Sequence, residues 1–238
     1  MHIALLTLPK TGNDMTLSYN TVTPLLREVL MRLMEAPQLK EFRLVGGTSL
    51  SLRLGHRESI DIDLFTDQPY HSIDFKSIYE FLRTNFKYAA TLMQEDGLHS
   101  FGESFYLGES EFDTVKVDLF YTDPFIHPVE MIDGIRFAST DDIVAMKVDV
   151  ISRTGRKKDF WDLHEFLEHY SFDRMLELHQ RRFPALHDRE ELIGKFTDFS
   201  VADDDFDPNC LRGKYWELIK MDFVDWIQQW QKTRGSGL

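Results

Sequence analysis

Apolar positions along the chain follow two periods, one typical of helices and one typical of strands. Both occur up to about residue 138, and only the helical period continues after it. Before that point, residues 17–36 and 74–86 repeat apolar side chains at helical spacing, so each segment predicts an amphipathic helix. Other segments up to residue 137 alternate apolar and polar positions with a period of two, as strands with one buried face do. The predicted strands are 42–45, 60–65, 88–93, 99–107, 114–121 and 134–137.

After residue 138 the pattern is helical to the end of the chain. Thr140 and Ser171 are candidate N-caps, and the predicted helices lie near 141–153, 157–169, 172–183, 188–198 and 213–231. A run of strands followed by a run of helices favours an α+β fold, with a mixed sheet first and a helical C-terminal half. We therefore expect a domain at 1–138 with an N-terminal helix, and a helical domain at 139–234.

Acidic residues share one face of two predicted strands. Asp61 and Asp63 are two positions apart on strand 60–65, so both carboxylates point to the same side. Neighbouring carboxylates raise each other's pKa unless a cation lies between them. If strand 114–121 is adjacent, Asp118 completes a cluster of hard oxygen ligands suited to Mg²⁺ or Mn²⁺. Two such metal ions can drive phosphoryl transfer; the alternative is a solvated outer face of the sheet.

A glycine turn precedes these acids in the chain. Gly46 and Gly47 follow strand 42–45, and Thr48 is a candidate N-cap for a short helix at 48–54. Glycine lets backbone N–H groups approach a ligand closely, and the N-terminus of a helix favours phosphate. The alternative is a tight turn that binds nothing.

The formal charge of −13 has the wrong sign for a protein that binds nucleic acid over a broad face. A local basic patch can still lie on an acidic protein. The densest cationic stretch supplies four candidate RNA contacts, which are Arg153, Arg156, Lys157 and Lys158. The alternative for this stretch is a solvated helix terminus.

Composition narrows the classes of protein and of site that remain possible. Hydrophobic residues make up 42% of the chain and aromatic residues 13%, which is enough for a well-filled core. Cys210 is the single cysteine, so an intramolecular disulfide and a Cys-based zinc site are excluded. No segment has the length and apolarity of a membrane span or the pattern of a signal peptide, so we expect a cytoplasmic protein.

Several motifs together resemble a known family. The first is Val45-Gly-Gly-Thr-Ser-Leu50 with Arg57-Glu-Ser-Ile-Asp-Ile-Asp-Leu-Phe65, and the second is Asp141-Asp-Ile-Val-Ala-Met-Lys147 with the later run Arg156-Lys-Lys-Asp-Phe-Trp-Asp-Leu163. The combination is similar to the AbiEii/AbiGii toxin family of nucleotidyltransferases, in the DNA polymerase β-type superfamily. The likeness covers roughly residues 40–165. One departure is the turn, where many superfamily members have Gly-Ser and this chain has Gly-Gly-Thr-Ser.

The resemblance implies a reaction. A hydroxyl of an acceptor would attack the α-phosphorus of a nucleoside triphosphate, and pyrophosphate would leave. Asp61, Asp63 and Asp118 would hold the metal ions, and Lys147 with Asp162 would be needed for activity because the helical half contributes to the cleft. The residues expected to bind the nucleotide are Gly46, Gly47, Thr48, Ser49, Arg57, Ser59 and Lys147.

The resemblance also implies a biological setting. The family supplies toxins of toxin–antitoxin or phage-defence pairs, so a cognate antitoxin and a tRNA acceptor are expected. Two alternatives stay open. One is a nucleotidyltransferase that modifies a small molecule such as an antibiotic, and the other is a non-catalytic module that binds a nucleotide or a partner. Whether Thr48 or Ser49 supplies the hydroxyl of the turn is also open.

Overall fold

A computed structural model describes residues 16–91 and 101–235. Within these ranges the strands are β1 (Arg43–Val45), β2 (Asp61–Thr66), β3 (Tyr88–Thr91), β4 (Gly102–Ser110), β5 (Asp113–Tyr121), β6 (Glu130–Ile132) and β7 (Ile135–Phe137). The helices are α1 (Pro24–Glu35), α2 (Gly46–Leu54), α3 (Phe75–Asn85), α4 (Thr140–Thr154), α5 (Lys157–His164), α6 (Phe172–Arg182), α7 (Arg189–Lys195) and α8 (Trp216–Gly235). The predicted strand positions 92–93 and 99–100 lie outside the described residues.

The strands form one mixed sheet in the order β3-β4-β5-β2-β1-β7-β6. At its centre β2 pairs with β1 in the antiparallel direction and with β5 in the parallel direction. This arrangement confirms the predicted α+β fold and places the strands around 42–45, 60–65 and 114–121 side by side. The short strand β6, which pairs with β7, was not predicted, because Glu130, Met131 and Ile132 do not alternate between polar and apolar.

Alternation explains why β2 and β5 occupy the centre. Ile62 and Leu64 of β2, with Val117 and Leu119 of β5, are all fully buried. They share one face, against which α1 packs. Every residue of β2 and β5 on the opposite face is only half-buried, so the acids on that face stay accessible.

Several helix ends differ from the predictions. Helix α2 begins at Gly46 and not at Thr48, and no side chain caps it. For α4 the N-cap is Ser139, whose hydroxyl accepts the N–H of Asp142, so the prediction of Thr140 was one residue late. Helix α1 begins only at Pro24, because proline is favoured at the first helical position. The predicted cap Ser171 is confirmed at α6.

Buried apolar side chains form two clusters. One lies between the sheet and helices α1 and α3, and the other lies within the helices after residue 138. Val45 and Leu50, from the start of the chain, belong to the second cluster. The glycine turn is therefore packed against the helical half, and the division into domains at 138 stays a prediction. No helix in the described part of the chain has the length and apolarity needed to cross a membrane.

Candidate active site

Three carboxylates lie on neighbouring strands at the half-exposed face of the sheet. In the parallel pairing of β2 and β5, Asp63 is directly opposite Asp118, and Asp61 is opposite Lys116. Directly opposite positions on adjacent strands point to the same face. The structure therefore brings together the three acids that the sequence singled out, and it adds a lysine to their row.

Two of the three carboxylates have cationic partners. Asp118 accepts hydrogen bonds from Lys116 Nζ at 2.7 Å and from Ser104 Oγ at 2.6 Å. Asp61 forms a looser ion pair, with its Oδ2 atom 3.8 Å from Lys158 Nζ. Both acids are thus held by the protein's own charges.

Asp63 is the exception. Among the described residues, no basic side chain forms an ion pair with it. Burial raises the pKa of Asp63 to about 6, and the charge of Asp118 opposite adds to the effect, whereas Lys147 and Lys158 act in the other direction. Asp63 is therefore the carboxylate that would gain most from an additional cation.

The glycine turn lies directly on these side chains. A Cβ atom added to Gly46 would collide with the carboxylate of Asp63, and one added to Gly47 would collide with the guanidinium of Arg57. Gly46 also has a φ of +68°, which favours glycine. Because α2 begins here, the first N–H groups of the helix have no partner within it. The half-exposed backbone of Gly46 and Gly47 can therefore face a ligand at the acids.

The hydroxyls of the turn face inward. Thr48 Oγ1 contacts Ser59 Oγ at 2.8 Å and the carbonyl oxygen of Asp61. Thr48 and Ser49 are both fully buried, and Ser49 Oγ is a buried atom without a hydrogen-bond partner among the described residues. Thr48 thus fastens the turn to β2, and Ser49 retains an unused hydroxyl.

Behind the turn, Asp162 is the centre of a buried network of charges. Arg57 donates to both of its oxygens, from Nε at 2.6 Å and Nη2 at 2.8 Å. Lys147 Nζ lies 2.6 Å from its Oδ2 atom, and His56 Nε2 lies 2.8 Å from its Oδ1 atom. Burial alone would raise the pKa of Asp162, but Lys147 and Arg57 hold it well below its usual range.

Lys147 lies in the interior of the molecule and not on the surface. Its ammonium is bonded to Asp159 at 2.7 Å as well as to Asp162, and the residue is 6% exposed. Burial by itself would lower the pKa of Lys147, but these two carboxylates raise it. Lys147 and Asp162 therefore connect α4 and α5 to residue Arg57, close behind Asp63.

The cationic stretch is not gathered on one exposed surface. Arg153 and Arg156 are exposed. Lys157, however, is 7% exposed and bonds Asp207 at 2.8 Å, and Lys158 points towards Asp61. The four side chains therefore do not share one exposed surface, and their role as RNA contacts stays a prediction.

Sequence reasoning missed several contacts of the site. Ser104, which bonds Asp118, lies on β4, and only the register of β4 on β5 brings the two residues together. His56 showed no spacing typical of a metal ligand and is instead a partner of Asp162. Lys116 lies on the same face of β5 as Asp118, but its pairing with Asp118 depends on the side-chain conformation.

The donor chemistry of the acids fits a divalent metal ion, while their present arrangement does not converge. Within 16–91 and 101–235, no three His, Cys, Asp or Glu side chains are placed to hold a metal ion. Asp61 and Asp118 are instead turned to lysines. Among the described residues the carboxylate of Asp63 has no basic partner and lies beside two other hard oxygen donors, which is the observation that favours a bound cation.

Comparisons with known proteins agree with this fold. A family model described as "Nucleotidyl transferase AbiEii toxin, Type IV TA system" matches residues 28–225. An uncharacterized protein of Aquifex aeolicus (strain VF5) is 32% identical over 153 residues, which are 62% of this chain and 68% of that protein. JHP933 from Helicobacter pylori has a similar fold, with a TM-score of 0.54 at 20% identity over 89% of this chain and 92% of its own.

Proposed function

This chain belongs to the AbiEii nucleotidyl transferase toxin family, and we propose that it transfers a nucleoside monophosphate from a nucleoside triphosphate to a hydroxyl of an RNA. Family membership establishes a nucleotidyltransferase and implies an antitoxin. The metal dependence, the acceptor and the residues of the site are the parts we propose.

One observation carries the proposal. Asp61, Asp63 and Asp118 lie on one face of two adjacent parallel strands, directly beneath the glycine turn that opens α2. A triphosphate needs positive charge and N–H donors, and the start of α2 supplies the donors. The acids supply hard oxygen ligands on the same side of the sheet.

Each residue has a proposed task. Asp61, Asp63 and Asp118 would hold Mg²⁺ or Mn²⁺, which neutralises charge that develops on the phosphate oxygens. The backbone of Gly46 and Gly47 would donate to the triphosphate. Thr48 and Ser59, by their contact with each other, would keep the turn against β2.

The buried charged residues would act by holding other parts of the site in position. Arg57 and Lys147 both bond the carboxylate of Asp162, so we assign the three residues to holding the turn and α5 in place around the acids. Ser49 has a fully buried hydroxyl without a hydrogen-bond partner among the described residues, so it is the one of the two turn hydroxyls whose donor is not already used.

An RNA acceptor is supported by two exposed arginines near the site. Arg153 and Arg156 lie just before α5, whose second residue is the Lys158 that faces Asp61. Exposed guanidinium groups bind phosphate well. A tRNA end is the acceptor we favour, and a small-molecule acceptor is the alternative that the test below separates.

The test is transfer of labelled nucleotides to total cellular RNA in the presence of Mg²⁺ or Mn²⁺. We expect label in RNA with the wild-type chain and none with Asp63→Asn or after chelation of the metal. Separation of the RNA by size would show whether tRNA is the acceptor. Label in small molecules and not in RNA would favour the alternative acceptor, and equal labelling by Asp63→Asn would disprove the role of the acids.

A further inference from the structure

The cations around the three carboxylates differ in how fully their hydrogen-bonding capacity is used. Lys147 is held by Asp159 and Asp162 at 2.7 and 2.6 Å. Arg57 is bidentate on Asp162. Lys116 bonds Asp118 at 2.7 Å. Each of these groups already makes at least one short bond to a carboxylate, which fixes its direction.

Lys158 is the exception. Its ammonium is 3.8 Å from Asp61 Oδ2, which is an ion pair too long for a hydrogen bond. Among the described residues no other carboxylate pairs with it. Its side chain is 31% exposed, compared with 8% for Lys147, so a ligand at the acids can reach it.

The surroundings of Lys158 favour an anion. Three further cationic groups, those of Arg156, Lys147 and Arg57, lie close enough to repel its charge. Within the described part of the chain, Asp61 is the acid that offsets them with an ion pair. A polyanion that approached Asp61 would therefore meet an ammonium group that, among the described residues, no carboxylate holds at hydrogen-bonding distance.

The neighbouring lysine shows that this placement is specific to Lys158. Lys157 precedes it on α5 but points away to Asp207, at 2.8 Å, and is 7% exposed. Adjacent residues of a helix point in directions about 100° apart. Only the second of the two lysines therefore faces the acids.

We propose that Lys158 binds the β- and γ-phosphate oxygens of the nucleoside triphosphate, and that it contacts the nucleotide and not the RNA acceptor. The inference rests on the proposed transferase function and assigns a substrate contact within it. Lys147 then acts as a positioning residue, since its ammonium is bonded to both Asp159 and Asp162. On binding, Lys158 exchanges the loose pair with Asp61 for hydrogen bonds to phosphate, and no covalent bond changes.

The test is the equilibrium affinity for an α,β-methylene nucleoside triphosphate analogue in Mg²⁺, measured by calorimetry beside the matching nucleoside monophosphate. We expect Lys158→Met to weaken binding of the triphosphate analogue roughly 10- to 100-fold, as the loss of a charge-assisted hydrogen bond does. Binding of the monophosphate should change less than about 3-fold, because it lacks the β- and γ-phosphates. Lys158→Arg should restore part of the affinity, because the charge remains while the geometry differs.

A matched control variant distinguishes an effect of Lys158 itself from a general effect of removing one positive charge. Lys76→Met removes an exposed lysine of α3 and should leave both affinities unchanged. Equal affinity of Lys158→Met and the wild type for the triphosphate analogue, with RNA binding weakened instead, would overturn the assignment and leave the transferase function intact. A wild-type chain that binds no nucleotide at all would overturn both proposals.

Discussion

Two groups of charges lie close together in this molecule and are balanced in opposite ways. Around Asp162 the charges are buried and paired, with Arg57, Lys147 and His56 on one carboxyl group. On the sheet face the acids exceed their partners, and Asp63 has a pKa raised to about 6 by burial and by Asp118. The paired charges around Asp162 hold the helices and the glycine turn in place, while the acids on the sheet face can still bind a cationic ligand.

The largest effect is expected at Asp162. Asp162→Ala leaves Arg57 and Lys147 buried without their shared partner, and breaking a buried pair in this way destabilises proteins by about 3–5 kcal/mol. Urea unfolding at neutral pH measures the difference. Asp61→Asn is the matched control, since Asp61 is more exposed and has one loose ion pair. If the two variants were equally stable, the Asp162 network would not hold the fold.

The second effect has the opposite sign. In the folded chain the pKa of Asp63 is about 6, whereas an unfolded Asp titrates near 3.9. The folded state therefore binds more protons, and the wild type loses stability as the pH rises from about 4 to about 6. Without metal, Asp63→Asn should be more stable than the wild type by ~1–3 kcal/mol above pH 7. This range is an upper limit, because Asp63 is only half-buried and solvent screens part of the effect.

Below about pH 4 this gain should vanish, because the wild-type carboxyl is then protonated in both states. Thermal unfolding across the pH range in the presence of a chelator gives the profile. A gain that is the same at every pH would point to better packing of the amide. A loss of stability at neutral pH would show that Asp63 is compensated in the folded protein.

A smaller effect is expected at Ser104, which orients the carboxylate of Asp118 through a hydrogen bond of 2.6 Å. Ser104→Ala should cost about 1 kcal/mol of stability. It should also raise the Mg²⁺ concentration for half-maximal transfer roughly tenfold, as the loss of an outer partner of a metal ligand does. Ser104→Thr keeps the hydroxyl and should recover the metal response. An unchanged metal response in Ser104→Ala would remove Ser104 from the site.

The smallest effect on stability is expected at the exposed arginines. Arg153→Gln with Arg156→Gln should change the free energy of unfolding by about 0.5 kcal/mol, mainly because Arg153 loses its ion pair with Asp149. Their loss should weaken RNA binding and flatten its dependence on salt, by about 0.7 in slope for each phosphate contact removed. Binding of the nucleotide should stay the same. Lys76→Glu is the control, and an equal change in that variant would indicate a general charge effect.

Much of the framework follows from the sequence alone. The period of two around Ile62 and Val117 fixed which face of each strand is buried, and the acids therefore had to lie on the other face. Cap residues such as Ser171 fixed helix starts to within a few positions. These features are local, because they depend on neighbours within a few residues of the same chain.

The tertiary structure decided which charges meet. That Asp63 lies opposite Asp118 depends on the parallel register of β2 on β5, and that Asp162 binds Arg57 depends on how α5 packs behind the turn. Lys157 and Lys158 have different partners, Asp207 and Asp61, because of the orientation of one helix. Residues far apart in the chain make these contacts, and the pattern of a single segment carries no information about its distant neighbours.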